Sequence, residues 1–342
     1  MSAGHLPRGM TPGRLLGVGK TSEVRELGRD AVIKLFVSTV PPRVVEREHC
    51  AATLAFAQGV ATPEVLDLVR VGEGLGLVMR RVRGRPLDSA LIREPWRIRE
   101  LLDAFVRLQR AIHSCDASPL ECARHRIALE ARCCGGLPQH RRIALADQIQ
   151  QLEPSSRLCH LDFHFHNVLS ARDGLWVIDW GRALAGPPSL DVAVTALKLR
   201  RPISRRARDR LHPKEPRPQR FLERAYLRKY RRQTTIDVAK VQALEEAVEA
   251  ALHRRWALHK DEAIRIASDI VETSGIASAD RFLRNAIADG LGDEQALLGV
   301  GQRVFRRVDP ALSKDYASAR EMLLTSPGSP ASGSNLTSSA GG

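Results

Sequence analysis

The sequence predicts an α+β protein of two lobes, a small, mostly β N-terminal lobe and a larger, mostly helical C-terminal lobe. Two observations lead to this prediction. Up to about residue 90, short β-favouring runs alternate with glycine turns, whereas from Trp96 onward apolar residues recur with helical spacing. At 342 residues, the chain is long enough for two lobes of ordinary domain size and an extension.

The N-terminal lobe, residues 1–83, is predicted as strands with a single helix. The strands are apolar runs bounded by turn residues, and they lie at 13–19, 22–27, 31–36, 64–71 and 75–82. Two prolines at 41–42 precede a helix from about 43 to 58, which Gly59 ends. Residues 83–86 break the strand pattern, so we expect the connector between the lobes there.

The second lobe, residues 84–260, is predicted to be helical. One helix carries an apolar stripe formed by Ile98, Leu101, Leu102, Phe105, Leu108 and Ile112. Further helices are predicted at 140–151, from about 191, at 219–232, 237–259 and 261–272. Residues 261–324 form a helical extension, and the Ser/Pro/Gly-rich tail 325–342 is predicted to be disordered.

Composition and charge narrow the class of protein. The hydrophobic fraction of 43% is that of a globular protein, and no apolar run reaches the length of a membrane span. Because the N-terminus lacks a signal-peptide core and the six cysteines show no metal-ligand spacing, we predict a cytoplasmic protein with reduced thiols. A net charge of +14 favours anionic partners, but it is also typical of a basic enzyme from an arginine-rich proteome.

The most informative stretch is residues 159–169, called the catalytic loop below. It contains His160, Asp162 and Asn167, and Asp179 follows within Trp-Val-Ile-Asp-Trp-Gly. Phosphoryl transfer in kinases uses a carboxylate that receives a hydroxyl proton, and an amide and a second carboxylate that bind a metal ion. The spacing of these residues therefore predicts a phosphotransfer site.

The alternating residues His160, Asp162, His164 and His166, together with Cys159, also allow a different interpretation. Residues two apart on a strand share a face, so these groups could form a zinc site of a metal hydrolase. Zinc ligation leaves the amide and the second carboxylate of the stretch without a role. We therefore favour phosphotransfer.

Two upstream features supply the other half of such a site. Gly17 and Gly19 lie between two predicted strands, where glycine lets the backbone fold over nucleotide phosphates, although a plain hairpin turn explains them equally well. A Walker A motif is excluded, because it needs glycine where Arg14 stands and a following helix. Lys34 lies within the third strand, and Glu48 on the next helix is its predicted partner, with Glu46 as the competitor.

Taken together, these motifs resemble the aminoglycoside phosphotransferase and choline kinase-like enzymes. The resemblance spans roughly residues 13–232, and its pieces occur in the family's order. The matching pieces are 45–48, 59–63, 77–79 with 84, 159–167, 177–180 and 186–191. The resemblance implies a two-lobed protein-kinase-like fold and a phosphotransferase that uses ATP and Mg²⁺ to phosphorylate a hydroxyl group of a small molecule.

The resemblance also implies a role for each matching residue. On the nucleotide side, Gly17 and Gly19 would cover the phosphates, Lys34 would hold the α- and β-phosphates, Glu48 would orient Lys34, and Met79 would lie in the hinge 77–82 that contacts adenine.

On the acceptor side, the resemblance makes Asp162 the catalytic aspartate and Asn167 and Asp179 the Mg²⁺ ligands. Asp191 would brace the catalytic loop from behind, and His160 would be a structural residue. The chain departs from the family at 165–166, where Phe and His replace a proline and a small or acidic residue.

The acceptor is predicted less directly. Residues 198–232 are rich in arginine and lysine and contain few acids, which is typical of a solvated surface but also suits an acidic or anionic ligand. A polycationic aminoglycoside usually requires an acidic pocket, so we favour a sugar, an amino alcohol or a phosphorylated metabolite.

The rival hypothesis is a kinase-like scaffold that binds nucleic acid or a partner through this basic face. A protein kinase is disfavoured, because residues 181–191 are too few for an activation segment.

Overall fold

The computed structural model describes residues 4–6, 11–19, 21–38, 40–72, 74–132, 134, 137–200, 218–252, 263–264, 267–268, 270–272, 275–288 and 294–325. Residues 201–217 of the basic segment 198–232 and the tail after 325 lie outside these residues. Of the helix predicted at 261–272, residues 263–264, 267–268 and 270–272 are described, and they are helical. The chain divides into two compact units, Met1–Arg255 and Trp256–Gly342.

The first unit begins with a six-stranded sheet. Its strands are β1 Gly4–His5, β2 Leu15–Val18, β3 Ser22–Leu27, β4 Ala31–Phe36, β5 Val65–Val71 and β6 Gly74–Arg80. Their order across the sheet is β1-β5-β6-β4-β3-β2. The five predicted strands are thus confirmed. Strand β1, which pairs in parallel with β5, was not predicted because two residues show no periodicity.

One helix, α1 Pro42–Ala57, packs on this sheet and confirms the predicted helix to within a residue at each end. Proline suits the first helical position, where no N–H is needed, and Gly59 follows the helix with φ of +80°. Val45 of α1 is fully buried against Phe36, Leu68 and Leu77 of the sheet. The helix is therefore fixed to the strand that carries Lys34.

The segment after the sheet is more regular than the predicted connector. Strand β7 Arg85–Pro86 leads directly into helix α2 Leu87–Arg93 and a short 3-10 helix, Pro95–Arg97. Two turns of helix are too short to show a clear 3.6-residue period, so the sequence did not indicate α2.

Helices dominate the rest of the first unit. The described ones are α3 Ile98–Ser114, α4 Ala123–Arg132, α5 Gln139–Gln150, α6 Pro188–Leu199, α7 Pro218–Arg232, α8 Val238–Ala243 and α9 Glu245–Leu252. The apolar stripe of α3 is buried as predicted, apart from the half-buried Ile98. Helix α6 begins three residues before the predicted start. The helical character predicted for 237–259 is confirmed up to Leu252, in two helices that meet at Leu244, and the rest of that range lies outside the described residues.

Short strands frame the loops between these helices. They are β8 Leu158–Cys159, β9 Val168–Ala171, β10 Gly174–Val177 and β11 Leu184–Ala185, with a 3-10 helix at Phe165–Asn167. Strand β8 pairs with β11, and β9 pairs with both β7 and β10. These pairings hold both ends of the catalytic loop and place Asp179 just after β10.

The second unit contains three described helices of more than two turns, α10 Ile276–Ala288, α11 Glu294–Phe305 and α12 Pro310–Thr325. Tyr316 joins them: its ring lies 5.6 Å from that of Phe305, and its hydroxyl donates a hydrogen bond to Asp280 Oδ1 at 2.8 Å. A side chain at Gly301 would overlap the Tyr316 ring, at 2.2 Å. Among the described helices, none combines the length and apolar character that a membrane-spanning segment needs.

Candidate active site

The catalytic loop is held in a strained backbone conformation by a buried carboxylate. Leu161 has φ of +55°, a left-handed conformation that costs a non-glycine residue of order 1–3 kcal/mol. The Leu161 N–H donates a hydrogen bond of 2.6 Å to Asp191 Oδ1 at the start of α6. Asp191 is fully buried. The brace that the sequence assigned to Asp191 is thus in place, and it acts on the residue just before Asp162.

Asp191 is itself the centre of a buried polar network. Its Oδ2 accepts a hydrogen bond from Gln109 Nε2 at 3.1 Å and contacts His113 Nε2 at 2.7 Å. His113 Nδ1 in turn contacts the Tyr230 hydroxyl at 2.5 Å. Burial alone would raise the pKa of Asp191, but the hydrogen bond to His113 and its charge outweigh burial and lower it. The carboxylate is therefore ionised at neutral pH.

Aromatic packing supports the loop from below. Phe105 of α3 lies 4.3 Å from the Phe163 ring and 4.9 Å from the Phe165 ring, measured between centroids. All three rings are buried. Phe165, one of the two departures from the family pattern, thus replaces the rigidity of a proline ring with an apolar anchor.

Asp162 and Asn167 are connected directly. The Asn167 Nδ2 group donates to the Asp162 carbonyl oxygen at 3.0 Å and to its carboxylate Oδ2 at 3.1 Å. Because both contacts use the side-chain NH₂ group, the side-chain oxygen Oδ1 of Asn167 remains to bind a cation. The loop therefore presents a carboxylate and an amide oxygen side by side, as the spacing predicted.

Asp162 also contacts a residue that the sequence did not indicate. Lys198 Nζ forms an ion pair with Asp162 Oδ1, and His164 Nε2 lies 3.7 Å from Oδ2. Burial would raise the pKa of Asp162, but the nearby His164 and the Lys198 ammonium hold it well below its usual range. Asp162 is consequently ionised over the whole physiological pH range and can accept a hydrogen bond.

Lys34 connects the sheet to the helical lobe. Its ammonium lies 2.6 Å from Glu48 Oε1 and 2.7 Å from Asp179 Oδ1. Lys34 and Glu48 are both buried, whereas 45% of the Asp179 side chain is exposed. Burial favours the neutral amine, but the two carboxylates outweigh it and raise the Lys34 pKa above its ordinary value. The structure thus pairs Lys34 with Glu48, not with the competing Glu46.

The loop around Asp179 is fixed on both sides. Asp179 has φ of +69°, the second non-glycine residue in a left-handed conformation among those described. The buried Thr62 hydroxyl donates to the Val177 carbonyl at 2.9 Å and accepts from Trp180 Nε1 at 2.9 Å. His160 Nε2 contacts the Ile178 carbonyl oxygen at 3.2 Å. Asp179 is therefore positioned by buried polar contacts of its immediate neighbours, and His160 has the structural role that the resemblance implied.

Three arginines, one on α1 and two near it, make contacts that the sequence did not predict. Arg47 of α1 donates through Nε to the Gly181 carbonyl at 3.3 Å. Arg126 and Arg182 each donate to Glu130, at 3.0 and 2.9 Å. Burial, followed by the charge of Arg126, lowers the pKa of Arg47 to about 10. The Arg47 contact links α1, and with it Glu48, to the loop that follows Asp179, and the contact between Arg182 and Glu130 links the same loop to α4.

The remaining predicted nucleotide contacts lie in the sheet. Gly17 is on the exposed strand β2, and Gly19 N donates to the Ser22 carbonyl at 2.7 Å in the following turn. A side chain at Gly17 would meet nothing within 4 Å, so packing of the described protein does not require glycine there. Met79 lies on β6, opposite Val32, and is half-buried. The structure thus places Met79 on the strand next to the one that carries Lys34.

The histidines of the loop have separate partners. His160 contacts the Ile178 carbonyl, His164 approaches Asp162, and His166 Nε2 lies 3.1 Å from Asp88 of α2. Within the described part of the chain, no three His, Cys, Asp or Glu side chains come close enough to hold a metal ion. The zinc interpretation therefore finds no ligand cluster among these residues.

The six-stranded sheet with its single helix α1 and the helical lobe together form a kinase-like fold. Lys34 of the sheet contacts Asp179 of the helical lobe. The family model described as the phosphotransferase enzyme family, APH, matches residues 18–213. The chain belongs to this family. The predicted family and fold are thereby confirmed.

Solved structures agree with this fold. Aminoglycoside phosphotransferase APH(3'')-Id from Streptomyces rimosus ATCC10970 is 19% identical over 71% of this chain and 92% of that chain, with a TM-score of 0.51. A choline/ethanolamine kinase family protein from Mesorhizobium loti is 17% identical over 92% of this chain and 96% of that chain, also with a TM-score of 0.51. A comparison with curated proteins found no match.

The choice of Glu48 over Glu46 gives a first prediction. Replacing Glu48 by Gln removes one of the two negative charges that hold the Lys34 ammonium, so we expect the affinity for ATP with Mg²⁺ to fall about tenfold, as loss of one charge-assisted hydrogen bond predicts. Titration calorimetry measures this change. The control is Glu46→Gln on the same helix, where we expect no effect. Equal losses in the two variants would contradict the assigned pair.

Proposed function

We propose that the protein is an ATP- and Mg²⁺-dependent phosphotransferase that moves the γ-phosphoryl group of ATP to a hydroxyl group of a small molecule. The observation that carries this proposal is the meeting of two halves of a site. Lys34, paired with Glu48, contacts Asp179 across the lobes, and Asp162 and Asn167 are hydrogen bonded to each other in the catalytic loop. A scaffold has no chemical need for this combination.

Asp162 is the proposed catalytic residue. Its ionised carboxylate accepts the hydrogen bond of the acceptor hydroxyl and orients the oxygen toward the γ-phosphorus. A bond forms between that oxygen and phosphorus while the bond to the β,γ-bridging oxygen breaks. The bridging electron pair leaves with ADP, and the hydroxyl proton passes to Asp162 and then to solvent. Positioning and charge neutralisation supply most of the acceleration.

Asn167 and Asp179 fit Mg²⁺, because an amide oxygen and a carboxylate are the hard oxygen ligands that this ion prefers. Among the described contacts, Asp179 uses Oδ1 for Lys34 and leaves Oδ2 without a protein partner. When bound, the ion would neutralise charge on the phosphate oxygens. Asn167 and Asp179 would hold it, and Lys34 would bind the phosphates nearer to the nucleoside.

The rival scaffold hypothesis receives less support from the described cations. Lys198 pairs with Asp162, Lys229 with Asp103, and Arg200 with both Glu223 and Glu245. These side chains already have protein partners, so the described part of the segment 198–232 offers fewer cations to nucleic acid than its sequence indicates.

Ligand-induced stabilisation tests the proposed function. When the ATP concentration is 100 times the dissociation constant, ATP with Mg²⁺ stabilises the folded protein by about 2.7 kcal/mol. We therefore expect the melting temperature to rise by about 5 °C. Asp179→Ala should lose this shift, whereas Asp173→Ala, in the exposed β9–β10 turn, should keep it. No shift in the wild-type protein would sink the proposal.

A further inference from the structure

The ion pair between Lys198 and Asp162 lies at the place where the acceptor hydroxyl has to bind. Only 18% of the Lys198 side chain and 19% of the Asp162 side chain are exposed, so the pair is largely shielded from water. In the proposed reaction, the same carboxylate must receive a hydrogen bond from the acceptor. The acceptor therefore has to compete with the Lys198 ammonium.

Helix α6 fixes the position of Lys198. The same helix carries Asp191 in its first turn and Lys198 in its last turn, two turns apart and on one face. Asp191 binds the Leu161 backbone, and Lys198 binds the side chain of the next residue. Because both contacts come from one rigid element, Lys198 is a built part of the loop's surroundings.

The charge at this point disfavours a cationic acceptor. The Lys198 ammonium cancels the carboxylate of Asp162, and the other described side chains close to that carboxylate are the neutral amide of Asn167 and the imidazole of His164. An amine on the acceptor would approach the Lys198 ammonium, and the Asp162 carboxylate, which could otherwise attract the amine, is already paired. A neutral acceptor would displace Lys198 from Asp162 without offering it another partner.

An anionic group on the acceptor removes both obstacles. A carboxylate or phosphate near the reacting hydroxyl can bind the Lys198 ammonium as Asp162 gives it up. The freed Asp162 oxygen then accepts the hydroxyl hydrogen. The ion pair between Lys198 and Asp162 is thus exchanged for one between Lys198 and the acceptor anion, and this exchange exposes the catalytic carboxylate.

We propose that Lys198 is an acceptor-binding residue and that the acceptor is a hydroxyl compound bearing an oxyanion close to the phosphorylated hydroxyl. This inference rests on the proposed function and adds the substrate class. The products are a phosphate ester of the anionic compound, ADP and a proton. Carboxylate and phosphate share the chemistry that Lys198 recognises, and the experiment separates them.

The test is ADP release with acceptors in matched charge sets. Hydroxy acids are represented by glycerate and gluconate, phosphates by glycerol 3-phosphate and glucose 6-phosphate, neutral compounds by glycerol and glucose, and cations by ethanolamine and kanamycin. We expect kcat/KM to be at least about tenfold higher for one anionic set than for the neutral and cationic sets. The set that is used identifies the anion.

Variants of Lys198 assign this preference to the residue. Lys198→Met should raise KM for the preferred anion about tenfold and leave or improve turnover of the neutral analogue, whereas Lys198→Arg should keep the preference. Lys229→Met is the matched control, because Lys229 is also ion-paired and partly exposed but contacts Asp103. Melting temperatures of all variants check their folding. A purely structural role would lower activity for all acceptors alike.

The outcomes separate the two proposals. Preferred turnover of a cationic or neutral acceptor, or no turnover of any anionic one, would overturn the inference about Lys198 while the ATP-induced thermal shift still supports phosphotransfer. An anionic preference that persists unchanged in Lys198→Met would overturn it as well. Loss of both the thermal shift and all ADP release would instead refute the proposed function.

Discussion

Replacing Asp162 by Asn is expected to reduce kcat about 1,000-fold, within the range by which a positioned general base accelerates reactions. Asparagine keeps the shape of the side chain but can neither take a proton nor carry the negative charge that orients the acceptor hydroxyl. Three contacts that hold the loop do not use the Asp162 carboxylate. The Leu161 N–H binds Asp191, the Phe163 ring packs on Phe105, and the Asn167 N–H binds the His164 carbonyl. We therefore expect the fold to persist and the loss to appear in kcat, measured by ADP release.

The matched control is Asp173→Asn in the exposed turn between β9 and β10. Asp173 accepts a hydrogen bond from Trp176 Nε1 at 3.1 Å but has no contact with the catalytic loop. We expect its kcat to stay within about twofold of the wild-type value, as for a surface change. Activity of Asp162→Asn within a few-fold of this control would show that Asp162 is not the catalytic aspartate.

The largest expected effect on stability comes from Asp191→Ala. The change leaves the Leu161 N–H, Gln109 and His113 without the acceptor that they share, in a fully buried place. Breaking such a buried charged network costs about 4 kcal/mol, which corresponds to a melting temperature roughly 10 °C lower. The strained Leu161 backbone also loses the contact that holds it. Thermal unfolding followed by circular dichroism measures the loss.

Asp30→Ala serves as the control, because Asp30 is also ion-paired but lies on the surface. Its contact with Arg83 joins side chains that are 74% and 63% exposed, and exposed pairs contribute little. We expect a melting temperature within about 2 °C of the wild type. A loss in Asp191→Ala no greater than in this control would refute the bracing role.

The contribution of Asp191 to the free energy of unfolding should also depend on pH, and the lowered pKa of Asp191 means that this contribution falls at low pH. Because folding lowers the pKa of Asp191, the contribution is fully present above the ordinary value of about 3.9 and is lost as the pH falls through the folded-state pKa. The difference in unfolding free energy between the wild type and Asp191→Ala should thus be largest near neutrality. It should narrow below about pH 4, as urea titrations would measure.

The predicted site residues were those with local sequence patterns. Asp162, Asn167 and Asp179 stand at short fixed spacings, and Lys34 and Glu48 lie on consecutive elements, so their meeting follows from the order of those elements. Lys198 could not be found in this way. It is separated from Asp162 by three strands, the loops between them and most of α6, and within the basic run it resembles its neighbours. Only the packing of α6 against the loop distinguishes it.

The fold shows the same division between local and tertiary signals. The stripe of α3 has helical periodicity, and strands β2 to β6 are short runs between turn residues, so the sequence predicts them. Strand β1 exists only through its pairing with β5, and α4 has a weak apolar pattern because its buried face includes Arg126. The earlier start of α6 was marked by Pro188, since proline favours the first turn of a helix.

The central claim is tested most directly by mass spectrometry of the acceptor after incubation with ATP and Mg²⁺. The account predicts that the acceptor found by ADP release gains one phosphoryl group. It also predicts that this product is lost when Asp162 is replaced by Asn and retained when Asp173 is replaced. Formation of the phosphorylated acceptor at the wild-type rate by Asp162→Asn would contradict the account.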